Sequence, residues 1–256
     1  MKQILIVGIG AGNPEHMTVQ GINALNRADV LFVPTKGADK TELADLRRDI
    51  CDRYVTRPDS RIVDFAVPVR RTADRSYTGS VDDWHAAIAN IYERLLEDEV
   101  GEGSTCAFLV WGDPMLYDST IRIIERVKAR GSVAFDYSVI PGITSLQALC
   151  ASHRIPLNLV GKPVAITTGR RLAESFLGLI ETAVVMLDGE QAFAKIDDPD
   201  VMIYWGAYLG TPQEVTLRGR LGEIRDEIVT TRAALRAENG WIMDIYLLQK
   251  GADFDD

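Results

Sequence analysis

The stretch Phe108-Leu109-Val110-Trp111-Gly112-Asp113-Pro114-Met115-Leu116-Tyr117 sets a carboxylate directly behind an apolar run. A short apolar run bounded by turn residues reads as a strand buried on both faces. Gly112 permits a sharp turn and lets a ligand come close to the backbone. Pro114 has no N–H to donate and ends the ladder. Asp113 is therefore expected at the carboxyl end of a central parallel strand, where open α/β sheets bind ligands. Taken alone, Gly-Asp-Pro is also an ordinary strand-to-helix turn, with the Asp capping a helix from about Ser119. Two further turns alter the weighing. Gly8-Ile9-Gly10-Ala11-Gly12 follows the apolar strand Gln3 to Val7. Ile140-Pro141-Gly142-Ile143-Thr144-Ser145 offers backbone N–H groups and two hydroxyls at a helix N-terminus. Three glycine-bearing exits from one parallel sheet open on the same edge and converge on a ligand cleft.

The chemistry within reach of these residues is recognition by backbone groups. The first turn is similar to a dinucleotide fingerprint, but G-x-G-x-x-G would need glycine where Asn13 stands. Pro14 follows, and the next apolar helix begins too late to press its N-terminus on a pyrophosphate. An NAD(P)-binding reductase accordingly ranks low. The cysteines, Cys51, Cys106 and Cys150, show neither metal spacing nor a disulfide framework, which fits a reducing cytoplasm. The histidines are His16, His85 and His153. A packing or surface role is expected for His85 beside Trp84, and a surface position for His153, while His16 is a candidate for lining the cleft.

The elements that must position these turns alternate along the first half. Strands are expected at Gln3 to Val7, Asp29 to Val33, Arg61 to Val69, Cys106 to Trp111 and Phe135 to Ile140. Helices are expected at Val19 to Arg27, Glu42 to about Asp52, Val81 to Glu97 and Ser119 to Ala129. Arg70 to Ser80 reads as an exposed polar loop. Strand–helix alternation argues a right-handed, doubly wound, mainly parallel five-stranded sheet. The second half is less regular, with a helix from Ser145 to Ser152 and strands at Val164–Thr167, Ala183–Leu187 and Val201–Trp205. An extended piece at Glu214 to Arg218, a helix at Arg220 to Glu227 and a strand at Met243 to Gln249 follow. The fold class is α/β, as two α/β domains, a parallel one over 1–141 and a mixed-sheet one over 142–256.

The 256 residues, 46% of them hydrophobic, suffice for two ordinary cores. A net charge of −9 argues against sequence-independent nucleic-acid binding. It does not exclude an anionic ligand met by a local basic rim. No apolar run approaches the ~20 residues of a membrane span, and the start of the chain shows no signal peptide.

Taken jointly, Val7–Thr18, Trp111–Tyr117 and Ile140–Ser145, in this order and spacing, resemble the tetrapyrrole methylases. Ala183–Leu187 and Met202–Ala207 extend the resemblance over the second half. The chain departs from the family pattern at Ala11, where Gly-Pro-Gly is common, at Asp118, where glycine is usual, and at Pro34, where some members carry an Asp base. The resemblance implies a two-domain fold with a cofactor cleft between the domains and use of S-adenosylmethionine, giving S-adenosylhomocysteine. It places the cofactor on Gly10, Ala11, Trp111, Gly112, Asp113, Leu116, Thr144, Ser145, Met186 and Ala207. Region 34–80, Val33–Lys36 and Gly240–Asp244 are most similar to members acting on precorrin-5, which implies C-1 methylation with loss of acetate. Asp113 and Tyr117 are then the candidate catalytic residues, with no metal. The pairs Arg70-Arg71 and Arg170-Arg171 are candidates for the substrate carboxylates. A homodimer is implied, with no nucleic-acid or membrane partner. The alternatives are a methylase acting at another ring position or on a protein side chain, the reductase above, and a non-catalytic adenosyl-binding module.

Overall fold

In the computed structural model, residues 1–35, 41–68, 77–175, 181–198 and 200–250 are described. The chain divides into two compact units, Met1–Thr144 and Ser145–Asp256.

The first unit alternates β1 (Lys2–Gly8), α1 (Val19–Arg27), β2 (Val30–Thr35), α2 (Thr41–Tyr54), β3 (Arg61–Ala66), α3 (Tyr77–Asp98), β4 (Thr105–Val110), α4 (Thr120–Arg130) and β5 (Phe135–Ile140). The strands lie in the order β3-β2-β4-β1-β5, and every pairing is parallel. The period of two along β1 splits the core. Ile4 and Ile6 face one side with Phe108, Tyr92 and Leu96 of α3, and Ile123 and Ile124 of α4. Leu5 and Val7 face the other with Leu109, Ala24 and Leu25 of α1, and Ile50 of α2. This is the arrangement right-handed crossovers produce, because β1 and β2 lead toward β3 while β3 and β4 lead back. Both central strands are apolar on each face for that reason. Thr18 starts α1 by accepting the Gly21 N–H at 2.9 Å. Gly131, at φ +73°, ends α4.

The second unit comprises α5 (Ser145–His153), β6 (Val164–Thr168), α6 (Gly169–Ser175), β7 (Thr182–Met186), β8 (Met202–Ala207), β9 (Val215–Arg220), α7 (Leu221–Asn239) and β10 (Asp244–Gln249). Its sheet runs β6-β7-β10-β8-β9, with β6 and β7 parallel and the other pairings antiparallel. The core gathers Trp205, Tyr246, Phe193 and Ile203 against Ile228 and Leu221 of α7.

Several expectations need correction. α7 continues twelve residues past Glu227, to Asn239. Its later turns bury Arg232, so a purely apolar period does not reveal them. α6 and the helical turn Pro14–His16 are too short to leave a periodic signal in the sequence. α3 begins at Tyr77, inside the stretch read as a loop. His153, expected at the surface, is buried: its Nε2 donates to the Trp205 carbonyl at 3.0 Å and its ring lies edge-on to Tyr204.

Candidate active site

Beyond their last ladder bonds, the exits of β1 and β4 zip together. The Gly112 N–H donates to the Gly10 carbonyl at 2.8 Å and the Gly10 N–H to the Gly112 carbonyl at 3.3 Å. Gly10 (φ +86°) and Gly112 (φ +66°) are both left-handed, a conformation that costs other residues about 1–2 kcal/mol. The exit of β5 closes on the same spot. A Cβ on Gly142 would fall 2.2 Å from the Gly112 carbonyl oxygen, and one on Gly8 would fall 2.7 Å from the Gly142 nitrogen. Three backbones therefore touch where no side chain fits.

Asp113 fastens this junction. It is 8% exposed, and its Oδ2 accepts the Gly142 N–H at 2.8 Å while Oδ1 accepts the Met115 N–H at 2.7 Å. The first bond joins β4 to the β5 exit, and the second closes the loop on itself. The helix-capping alternative falls to a neighbour, since Asp118 Oδ1 accepts the Thr120 N–H at 2.6 Å. Ser119 Oγ instead meets His85 Nε2 at 2.8 Å, and burial lowers that imidazole's pKa.

The loop held by Asp113 displays its tip. Met115 is 74% and Tyr117 44% exposed, and Tyr117 is held at φ +51°. Partial burial raises the Tyr117 phenol, so it remains a neutral hydrogen-bond donor. Leu116 is half-buried between them. Trp111 packs on the α1/α2 side, with its indole Nε1 buried and unpartnered among the described residues. Ala11 and Thr144 are buried beside the junction, and His16 lies against the Cα of Gly10. Gly10, Ala11, Trp111, Gly112, Asp113, Leu116, Tyr117 and Thr144 thus share one edge of the parallel sheet. Ser145 follows as the first residue of α5.

In the second unit, Met186 and Ala207 end β7 and β8, either side of β10. Each strand then turns through a left-handed residue, Leu187 (φ +54°) and Tyr208 (φ +51°). Beneath them lies a buried polar network that the sequence does not announce. Arg232 Nε donates to Asp244 Oδ2 at 2.8 Å, and Trp205 Nε1 donates to the same oxygen at 3.0 Å. Arg232 also donates to the Asp188 carbonyl at 3.2 Å, and the Tyr246 hydroxyl to Asp188 Oδ2 at 2.6 Å. Arg170 and Arg171 are exposed on α6. Arg70 and Arg71 lie outside the described residues. Among the described residues no His, Cys, Asp and Glu cluster could hold a metal ion.

A parallel sheet with glycine-lined exits, followed by a mixed sheet, defines a two-unit α/β protein. The chain belongs to the family described as Tetrapyrrole (Corrin/Porphyrin) Methylases, whose profile matches residues 3–225. It is 75% identical over its full length to precorrin-6A synthase [deacetylating] of a Sinorhizobium species, covering 98% of that protein. A cobalamin-synthesis-related protein of Corynebacterium diphtheriae has the same fold, with 38% identity, a TM-score of 0.85, and 98% and 99% of the two chains covered. The fold is shared by uroporphyrin-III C-methyltransferase of Thermus thermophilus, whose structure is complexed with S-adenosylhomocysteine. There the TM-score is 0.61 at 19% identity, over 97% of each chain.

Proposed function

We propose that this chain is an S-adenosylmethionine-dependent C-methyltransferase of corrin-ring biosynthesis. It converts precorrin-5 and water to precorrin-6A and acetate, with methylation at C-1. The observation that carries this reading is the 75% identity, end to end, to a precorrin-6A synthase.

The residues at the first unit's edge fit the cofactor. Left-handed Gly10 and Gly112 present bare backbone, and the indole N–H of Trp111 lacks a partner among the described residues. Gly10, Ala11, Trp111, Gly112, Asp113, Leu116 and Thr144 would hold it. Bound S-adenosylmethionine supplies a methyl group on a sulfonium already activated for in-line displacement. The protein's task is then to position two reactants. Asp113, with both oxygens engaged, keeps the loop in shape. Tyr117, exposed at the loop tip and protonated, is the candidate that reaches substrate. For deacetylation, water adds to the acetyl carbonyl, the bond to the ring breaks, and acetate leaves. The electron pair stays in the conjugated ring, which takes the methyl at C-1.

We read the protein as a homodimer of the cytoplasm. None of its described helices is long and apolar enough to cross a membrane. Light scattering checks the dimer, and a monomer mass at micromolar concentration overturns it. Mass spectrometry after incubation with precorrin-5 and methyl-labelled S-adenosylmethionine tests the activity. One labelled methyl gained and one acetyl lost is expected, whereas methylation with the acetyl retained overturns the deacetylating reading.

A further inference from the structure

We propose that Arg47 receives a carboxylate of the substrate in the crevice between β2 and β4. This assignment rests on the function proposed above.

The crevice is a product of topology. β2 and β4 pair only as far as Phe32 and Phe108. Past that point β2 keeps its pairing with β3 through Thr35, and β4 keeps its pairing with β1 through Val110. The two strands therefore part at their carboxyl ends. The helices that follow them, α2 and α4, pack on opposite faces of the sheet. This is a topological switch point, the place in an open α/β sheet where the backbone itself leaves room for a ligand.

Arg47 projects from α2 to this gap. Its Nε donates to the Leu109 carbonyl, at 3.4 Å, and its Nη1 to the Leu43 carbonyl, at 2.9 Å. Leu109 is one residue past the last β2–β4 pair, so the guanidinium sits where the strands separate. These two bonds use a minority of its five N–H groups, and Nη2 is engaged in neither. Among the described residues Arg47 forms no ion pair. Asp118 influences it only at longer range, and burial brings its pKa down to about 10. A half-buried guanidinium given only carbonyls among the described residues is costly to keep charged unless an anion completes it. The planar fork suits a carboxylate.

Carboxylates come from two sources in the proposed reaction, the methionine part of the cofactor and the side chains around the tetrapyrrole. The cofactor's glycine junction joins β1, β4 and β5. The Arg47 crevice lies on the other flank of β4, at a strand spacing of about 4.8 Å. That flank is left for the acceptor, so the substrate is the source. The protein's charge of −9 makes such a local cation the more necessary.

The test compares the parent with Arg47→Gln, which keeps an N–H donor for the carbonyls but loses the charge, and with Arg47→Lys. Uroporphyrin III, a porphyrin bearing acetate and propionate groups, is titrated by fluorescence quenching over a range of salt, and S-adenosylhomocysteine by calorimetry. Arg47→Gln is expected to weaken porphyrin binding roughly tenfold or more at low salt and to flatten its salt dependence. S-Adenosylhomocysteine affinity stays within about twofold, because the glycine junction is untouched. Arg47→Lys recovers part of the affinity and the salt dependence. Parental porphyrin binding in a folded Gln variant overturns the proposal. So does a loss confined to S-adenosylhomocysteine, which assigns the carboxylate to the cofactor. If the Gln variant does not fold, the Lys variant decides: weaker porphyrin binding with parental cofactor affinity supports the proposal, and parental porphyrin binding overturns it. A parent that binds S-adenosylhomocysteine but no porphyrin removes the carboxylate-rich substrate, and the Arg47 assignment with it.

Discussion

The Asp113 carboxylate accepts the Gly142 N–H at 2.8 Å, joining the exits of two strands that are not neighbours in the sheet. β1 lies between β4 and β5, and its own exit, Gly8 to Gly10, is trapped beneath that bond. This edge of the first unit is thus one connected piece of backbone rather than three loops.

Removing that carboxylate leaves two part-buried N–H groups without their acceptor. Asp113→Ala is expected to cost roughly 2–4 kcal/mol of stability and to weaken S-adenosylhomocysteine binding as the loop relaxes. Asp113→Asn retains one acceptor oxygen but turns an amide N–H₂ toward a donor, so about half that loss is expected. Urea unfolding and calorimetric titration measure the two effects. An Asp113→Ala protein as stable as the parent would contradict the clamp.

Two glycines of the junction should behave differently. Gly142→Ala drives a Cβ to 2.2 Å from a backbone oxygen, and a loss of about 3 kcal/mol or more is expected. A Cβ on Gly112 finds nothing nearer than Thr144 Cα at 3.7 Å, so Gly112→Ala meets only the left-handed strain of about 1–2 kcal/mol. Gly112→Val, folded but bulky at the ligand edge, should lose S-adenosylhomocysteine binding. Thermal unfolding of the pair, with calorimetry on the valine variant, checks this ordering. A Gly142→Ala protein more stable than Gly112→Ala would reverse it.

The buried pair Arg232–Asp244 holds the start of β10 to α7 and, through the Asp188 carbonyl, the turn after β7. Arg232→Met leaves Asp244 buried without its counter-charge and is expected to destabilise the protein by about 3–5 kcal/mol. Asp244→Asn keeps an oxygen for Trp205 Nε1 and should cost less. Chemical unfolding followed by tryptophan fluorescence reports it directly, since Trp205 contacts the network.

Acid should weaken the fold through its histidines. Burial lowers the pKa of His153, and lowers that of His85 in the same direction. Below about pH 6.5 the unfolded chain takes up protons that these folded imidazoles resist, so stability present above that pH falls as pH drops. Each group contributes a slope of at most about 1.4 kcal/mol per pH unit. His153→Gln keeps an N–H for the Trp205 carbonyl and removes one titration. Its stability, followed by urea unfolding between about pH 5 and 7, should decline less steeply than the parent's. Parallel curves would show that His153 titrates alike in both states.

Much of the fold was legible because its causes are local. The alternation of Ile4, Leu5, Ile6 and Val7 states that both faces of β1 are covered, and the glycines at 8, 10, 112 and 142 mark where chains must turn or touch. Thr18 and Gly131 mark helix ends by hydrogen bonding and by φ, properties of a few consecutive residues. The sequence also carried the family, through motifs whose order and spacing survive folding unchanged. Tertiary structure alone decided which groups meet. Asp113 finds Gly142 across 29 residues because β5 pairs with β1 and not with β4. Asp188 finds Tyr246 across 58 because β10 inserts antiparallel beside β7. His153 looked solvated beside Arg154, yet it turns inward to the Trp205 carbonyl. Arg47 resembled any charge on a helix until strand order opened a crevice at Leu109. Turns and periods depend on neighbours along the chain, whereas a buried charge depends on what the sheet brings beside it, and strand order is a property of the whole chain.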